Sequence, residues 1–289
     1  MKVGFVNIFG KPNAGKSTLL NALLGEKLAI TSSKVQTTRH RIKGILTTDA
    51  WQVIFSDTPG IIEPQYKLHE KMMDAVKEAL EDADLALLLY DLTDNDAKAA
   101  NELFSSLRLS VPAIVLCNKN DKVSKEKTAE AISFFEGQSY CKEVIAISAL
   151  TGLPAKLMKR FTAYLPEGQP FFAEDEMTDL PTRFFVGEMI REKIYELYEE
   201  EIPYHTTVLV QEFKEKTSLV KIQADIIVQR DTQKGIILGQ GGKRIRDLGT
   251  AARADIEKFL GRKVFLELFV KVKPKWRDND LFLKEYGYR

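Results

Sequence analysis

The sequence predicts two domains of different class: an α/β domain on a mostly parallel sheet with helices on both faces, then a smaller α+β domain. Three observations carry this. At about 150 residues per domain, a chain of 289 residues suggests two cores. Short apolar runs alternate with helical patterns through the first 165 residues, which implies strands joined by crossover helices. Beyond a Pro- and Gly-containing acidic stretch, strict apolar alternation takes over.

In order, residues 3–9, 51–56, 85–90, 111–117 and 144–147 read as buried strands bounded by turn or polar residues. Helical spacing covers 18–24, 68–82, 97–107, 125–135 and 154–164. Ligands of such sheets bind at the carboxyl ends of the strands, where every motif described below falls. Periodicity stops at Leu165-Pro166-Glu167-Gly168-Gln169-Pro170, and Glu174-Asp175-Glu176 follows. The expected organisation is therefore a first domain over 1–168, a linker over 169–178, and a second domain with its C-terminal tail over 179–289.

In the second domain Val186, Met189, Ile190, Ile194 and Leu197 mark a helix, and a strand follows near 206–213. Val220, Ile222, Ala224, Ile226 and Val228 alternate as a strand. A short helix leads to Gly239-Gln240-Gly241-Gly242, then a helix with Ile245, Leu248, Ala252, Ile256 and Phe259. Val264, Leu266, Leu268, Val270 and Val272 form the last strand. The basic stretch 271–277 holds Trp276, and 281–288 is amphipathic; RNA, the first domain or a membrane surface are all open as its contact.

With 44% hydrophobic and 29% charged residues, disorder and fibrous repeats are excluded. No run approaches the roughly 18 apolar residues of a membrane span. Cys117 and Cys141 are too few for a disulfide framework, and the N-terminus has no signal or transit pattern, so a cytoplasmic protein is expected. The net charge of +1 conceals an asymmetry: residues 230–277 carry 13 Lys/Arg against 5 Asp/Glu, net +8, suited to a polyanion. No Cys/His metal cluster is evident, since His40, His69 and His205 are scattered.

Gly10-Lys11-Pro12-Asn13-Ala14-Gly15-Lys16-Ser17 fits the phosphate-binding pattern GxxxxGK[ST] between a strand and a helix that continues through Thr18. Glycines there let backbone N–H groups converge on phosphate, and the helix adds the positive end of its dipole. Lys16 is expected to reach the β and γ phosphates and Ser17 to bind Mg²⁺. Asn118-Lys119-Asn120-Asp121 follows the strand 111–117, where the Asp121 carboxylate can accept from guanine N1–H and the exocyclic amine, a donor pair adenine lacks. Lys119 can lie along the base, and Ser148-Ala149-Leu150 can offer backbone N–H to the guanine oxygen. In Asp57-Thr58-Pro59-Gly60, Asp57 is placed to partner Mg²⁺ and the Gly60 N–H to sense a γ-phosphate. A threonine of Thr37-Thr38 is expected on Mg²⁺ when GTP is bound, Thr38 being favoured over Thr37.

The Gly-Gln-Gly-Gly loop can approach a single-stranded RNA backbone closely because it lacks Cβ atoms, with Lys243 and Arg244 adding charge. Ile236, Ile237 and Leu238, with Ile245, are expected to form a floor for bases. The motifs resemble, in order and spacing, those of the translation-factor-related GTPases, and the second domain resembles a type II KH RNA-binding domain. Together they resemble the Era family of bacterial ribosome-assembly GTPases over nearly the whole chain, with Gln36-Thr37-Thr38-Arg39 matching its switch pattern. The resemblance implies a monomeric GTPase that binds the 3′ end of 16S ribosomal RNA, assists 30S subunit assembly and maturation, and partly associates with the inner membrane.

Ras-like enzymes orient the attacking water with a glutamine directly after DxxG, where this chain has Ile61. Slow turnover, or a water held by backbone and substrate, is therefore expected. Asn13 either braces the loop or helps hold K⁺ as the matching asparagine does in related GTPases, so that Asn13, Lys16, Thr38 and Gly60 form the candidate catalytic set. The alternative is an RNA-binding assembly scaffold whose nucleotide site is largely structural.

Overall fold

A computed structural model describes residues 1–288 and divides into two compact units, Met1–Glu63 with Met72–Asp179, and Pro64–Lys71 with the described residues from Leu180 onward. The first unit carries a six-stranded sheet in the order β2-β3-β1-β4-β5-β6. Its strands are β1 (Lys2–Phe9), β2 (Ile42–Thr47), β3 (Trp51–Asp57), β4 (Leu85–Asp91), β5 (Ala113–Asn118) and β6 (Cys141–Ala146). All neighbours are parallel except β2, which pairs antiparallel to β3. β1, β4 and β5 are almost wholly apolar because helices cover both their faces.

On one face α2 (Lys67–Glu81), α3 (Ala97–Ser106) and α4 (Lys125–Glu136) bury Val76, Ala79, Phe104, Ala131 and Phe135 against Phe9, Leu88 and Val115. α1 (Lys16–Leu24) and α5 (Leu157–Thr162) serve the other face, where Leu19, Leu20 and Phe161 are fully buried and Phe55 meets Phe161 edge-on. Asp96 and Ser124 cap α3 and α4 by accepting from Ala99 N and Lys127 N.

Two sequence expectations shift. β2 did not register because Ile42-Lys43-Gly44-Ile45-Leu46-Thr47 lacks clean alternation. Gly44 makes room there for Leu24, whose Cδ1 would lie 2.5 Å from a Cβ at that position. The helix expected over 154–164 is confined to Leu157–Thr162 because Lys156 takes a left-handed φ of +69°. The stretch 169–178 lies along the sheet: Gln52 Oε1 accepts from Phe171 N (2.7 Å) and Phe172 N (3.1 Å), and Ile45 N donates to Met177 O (2.8 Å).

The second unit has a three-stranded sheet, β7 (Thr207–Glu215), β8 (Val220–Val228) and β9 (Val264–Val272), antiparallel then parallel. α6 (Thr182–Leu197) and α9 (Lys243–Leu260) cover one face, with Val186, Ile190, Ala252 and Ile256 packed on Ile222 and Ala224. The short α7 (Ile202–His205) and α8 (Asp231–Leu238) complete the core through Ile202 and Ile237. The C-terminal tail folds onto this unit: Trp276 is fully buried and donates Nε1–H to His205 O (3.0 Å), and α10 (Asp280–Glu285) is capped by Asn279. Among the described residues no helix is long and apolar enough to cross a membrane.

Candidate functional site: a nucleotide cleft and a glycine loop

The carboxyl ends of β1, β3, β5 and β6 bring the first set of expected residues to one cleft of about 370 Å³. Asn13, Gly15, Lys16, Ser17, Thr18, Thr38, Gly60, Asn118, Lys119, Asp121, Ser148, Ala149 and Leu150 all line it. Gly10, Ala14 and Asp57 lie behind the wall. Gly10 is where β1 runs against β4, and a Cβ there would meet Leu89 O at 2.6 Å. Gly15 takes φ +100° and lies so near Asn118 that a Cβ would stand 2.4 Å from its Nδ2.

At the phosphate end Lys16 is almost fully buried, and its Nζ donates to Gly10 O (3.2 Å) and Lys11 O (3.0 Å). Burial lowers its pKa to about 8, partly offset by the charge of Asp57. Asp57 is wholly buried; burial pushes its carboxyl up to about 6, against the Ser17 hydrogen bond, the Lys16 charge and the Thr38 hydrogen bond. Ser17 Oγ donates to Asp57 Oδ2 (2.6 Å) and lies 2.8 Å from Thr38 Oγ1, which donates to the same carboxylate at 3.2 Å. Asp57 Oδ1 is buried with no hydrogen-bond partner. Two hydroxyls and a carboxylate form a hard-oxygen set of the kind Mg²⁺ takes, and the unsatisfied oxygen fits a cation beside it. Thr38 rather than Thr37 belongs to this group, because the Thr37 hydroxyl turns away to Lys34 O (2.7 Å). Gly60 lies against Pro12, leaving no room for a Cβ, which would come within 2.8 Å of it. Ile61 donates its backbone N–H to Gly10 O (3.2 Å) and packs its side chain on the core.

At the base end the roles separate. Asn118 is buried and spent on architecture: Nδ2 donates to Ala14 O (2.8 Å) and Oδ1 accepts from Ala149 N (2.9 Å). Asn118 thereby orients the Ala149 backbone, which lines the cleft beside Ser148 and Leu150. Lys119 takes φ +64°, donates to Asn13 O (2.9 Å) and pairs with Asp91, tying this loop to the phosphate loop. Asp121 stays exposed at the cleft wall. Asn13, with φ +62°, donates Nδ2–H to Ser33 O (2.7 Å). The wall from Ile30 to Ser33 and Gln36 also lines the cleft, and no fixed motif spacing marks most of it in the sequence.

In the second unit Gly239, Gly241 and Gly242 have φ of +68°, +58° and +73°, and α9 starts at Lys243. Gly241 and Gly242 stand without Cβ atoms at the start of α9 with nothing within 4 Å of either Cβ position, while the Gly239 N–H donates to Gly235 O (2.9 Å) and the Gly242 N–H to Gly239 O (3.2 Å). Gln240 and Lys243 are exposed. Arg244 braces the loop: its guanidinium lies 4.4 Å over the Tyr198 ring, Nη2 donates to Leu197 O (3.2 Å), and its Cγ occupies the space of a Gly239 Cβ. Ile237 is a correction. Its side chain is fully buried in the core and its carbonyl accepts the Tyr198 hydroxyl (2.9 Å), so it cannot form a floor for bases. Its neighbour Ile236 is the exposed apolar residue.

A phosphate loop, a buried hydroxyl–carboxylate cluster and an Asn-Lys-x-Asp loop on one parallel sheet define a P-loop GTPase, here followed by a KH domain. Family profiles agree, one described as 50S ribosome-binding GTPase over residues 5–119 and one as KH domain over residues 201–277. The chain is 44% identical over 291 aligned residues to GTPase Era of Geotalea uraniireducens (strain Rf4), covering 99% of this chain and 97% of that protein. It is 43% identical to GTPase Era of Caldanaerobacter subterraneus subsp. tengcongensis, covering 99% and 98%. A crystal structure of Era in complex with MgGDPNP and nucleotides 1506–1542 of 16S ribosomal RNA superposes with a TM-score of 0.94 at 41% identity, covering 100% of this chain and 99% of that one. A variant of Aquifex aeolicus Era bound to GDP·AlF₄⁻ gives 0.95 at 41% identity over the same shares. The chain belongs to the Era family of GTPases.

Proposed function

We propose that this GTPase binds GTP with Mg²⁺ in the cleft of its first unit and the 3′ end of 16S ribosomal RNA through the glycine loop of its KH domain. It thereby acts as a hydrolysis-driven switch in maturation of the 30S subunit. The observation that carries the nucleotide half is the convergence of Ser17 Oγ, Thr38 Oγ1 and Asp57 Oδ2 within 3.2 Å of one another beside the buried Lys16. Ser17 and Thr38 hold Mg²⁺ directly, and Asp57 orients the metal shell. Held there, Mg²⁺ would supply charge stabilisation at the β and γ phosphates, and Lys16 would add its ammonium to the same oxygens. Gly60 offers its N–H to the γ-phosphate. Asp121 reads the guanine edge, while Asn118 and Lys119 hold the surrounding loops together.

Ile61 presents no hydrogen-bonding side chain, so intrinsic turnover is slow and rises only when other groups or a partner complete the site. Asn13 would hold K⁺, which would supply part of the missing charge. Lys243 takes RNA phosphates that approach the loop Gly239, Gln240, Gly241 and Gly242 closely where Gly241 and Gly242 leave the surface open, with Arg244 as brace. The same proposal includes a monomeric state, the 30S subunit as the working partner and a peripheral contact with the inner membrane, each supported only by the resemblance to the Era family.

The test is GTP hydrolysis in K⁺ buffer with and without an oligonucleotide copying the 3′ end of 16S ribosomal RNA. Stimulation establishes that the two sites are coupled through different affinities for RNA in the GTP and GDP states. Tight binding of both ligands with no stimulation and barely measurable turnover would instead assign the chain a scaffolding role, the reading that Ile61 favours.

A further inference from the structure

Arg41 takes no part in the cleft wall, yet it holds a concentrated set of hydrogen bonds in the first unit. It precedes β2 directly, three residues after Thr38, at the point where the 31–40 loop rejoins the sheet. Its guanidinium makes a fork to Asp82, Nη1 to Oδ2 and Nη2 to Oδ1, both at 2.7 Å. The Nε and Nη2 groups also donate to Ser56 Oγ at 3.0 and 2.9 Å. Ser56 is fully buried and immediately precedes Asp57. Asp82 sits just past the C-terminal end of α2, the helix that follows the Gly60 segment. A carboxylate there faces the negative end of the helix dipole, so it needs a cation to hold it. The fully buried Asn7 completes the anchor, its Nδ2 donating to Asp82 Oδ1 (2.8 Å) and Ala79 O (2.6 Å).

Three parts of the nucleotide machinery are thus tied at their fixed ends to one planar group: the loop carrying Thr38, the strand carrying Asp57 and the helix following Gly60. We infer that Arg41 is a positioning residue that makes recognition of the γ-phosphate by Thr38 and by Gly60 one coupled event, and so sets the preference for GTP over GDP. This rests on the assignment of Thr38 and Gly60 to γ-phosphate sensing above. The physical reason is that a loop end held by a bidentate, charge-assisted fork has one allowed position, and a lysine point charge cannot reproduce it. Without the fork, closure of the Thr38 loop gains nothing from an ordered α2, and GTP loses affinity that GDP never had.

The experiment measures affinities of a non-hydrolysable GTP analogue and of GDP with Mg²⁺, and the kcat for GTP, for wild type, Arg41→Ala, Arg41→Lys, Asp82→Asn and Thr38→Ala in the full chain. Arg41→Ala is expected to lower the ratio of GTP-analogue to GDP affinity roughly tenfold, at the low end of typical coupling. Arg41→Lys recovers little of that ratio, and Asp82→Asn, a gentler change should Arg41→Ala fold poorly, shifts it in the same direction. Earlier melting of the Arg41 and Asp82 variants with an unchanged affinity ratio would show a merely structural role and overturn the inference. An unchanged ratio in Thr38→Ala would remove the assignment on which the inference stands, a failure separate from that of Arg41.

Discussion

The nucleotide cleft and the glycine loop both face phosphates, but they are built in opposite ways. In the cleft the chemistry resides in side chains whose positions are fixed by burial: Lys16 between two carbonyls, Asp57 beneath two hydroxyls, and Asn118 spanning Ala14 and Ala149. In the loop it resides in the close approach that a backbone without Cβ atoms allows, at three glycines of positive φ, and side chains such as Arg244 and Tyr198 serve from behind. The first arrangement concentrates charge on a small polyanion through preorganised donors. The second leaves open room for an extended chain of phosphates. Removing a side chain should therefore be ruinous in the cleft, whereas adding one should be damaging in the loop.

The largest effect is expected for Lys16→Ala, which removes the ammonium buried at the phosphate end and leaves two carbonyls without their donor. By analogy with loss of a single transition-state donor, kcat should fall about 10²- to 10³-fold, read by phosphate release at saturating GTP. The KH half should retain RNA affinity. Loss of the RNA affinity measured without nucleotide in a folded variant would mean that Lys16 supports the RNA site itself rather than acting on it through bound GTP.

Gly241→Asp is the reciprocal case. Nothing lies within 4 Å of the Cβ position, and aspartate tolerates left-handed backbone better than most residues, so the fold is expected to survive. A carboxylate among RNA phosphates should weaken RNA binding roughly tenfold, with nucleotide affinity unchanged. Filter binding at two salt concentrations checks this, and unaltered RNA affinity would move the RNA site off the loop. Gly239→Ala should harm the loop differently, because its Cβ meets Arg244 Cγ at 2.6 Å.

Within the cleft, Asn118 and Asp121 sharpen the comparison at a smaller scale. Asn118→Ala loses two buried hydrogen bonds and should weaken all nucleotides by about tenfold while keeping the ratio of GTP to ATP affinity. Asp121→Ala should spare the loops and reduce that ratio. Competition of ATP against labelled GTP separates the two; matching changes in both variants would return Asn118 to a direct role in reading the base.

The same contrast explains what could be read from sequence. Lys16, Ser17, Asp57 and Asp121 were legible because side-chain chemistry at a fixed spacing survives as a pattern of residue types. The glycine loop was legible because only glycine permits its φ values. Ile237 misled because a short apolar run carries no record of which member points inward; helix α8 turns Ile237 into the core and Ile236 outward. The bond from Ala149 N to the Asn118 amide was not legible, because it joins two strand ends 31 residues apart. Arg41 and the anchoring of residues 169–178 by Gln52 were invisible for the same reason, since both are long-range hydrogen bonds to ordinary polar residues.

The smallest expected effect concerns Asn13. Its Nδ2–H is held by Ser33 O at 2.7 Å, so the side chain spans the cleft wall between the phosphate loop and the 31–40 loop. A monovalent cation bound there would add positive charge beside the phosphates where Ile61 contributes none. K⁺ should therefore raise kcat several-fold over Na⁺ at matched ionic strength, an effect on the order of 1 kcal/mol in the barrier. Asn13→Ala should abolish the difference between the two salts while leaving GDP affinity nearly unchanged. Equal rates in K⁺ and Na⁺ for the wild-type protein would assign Asn13 to bracing the Ser33 loop alone, and the cleft would then rely on Lys16 and Mg²⁺ as its only cations at the phosphates.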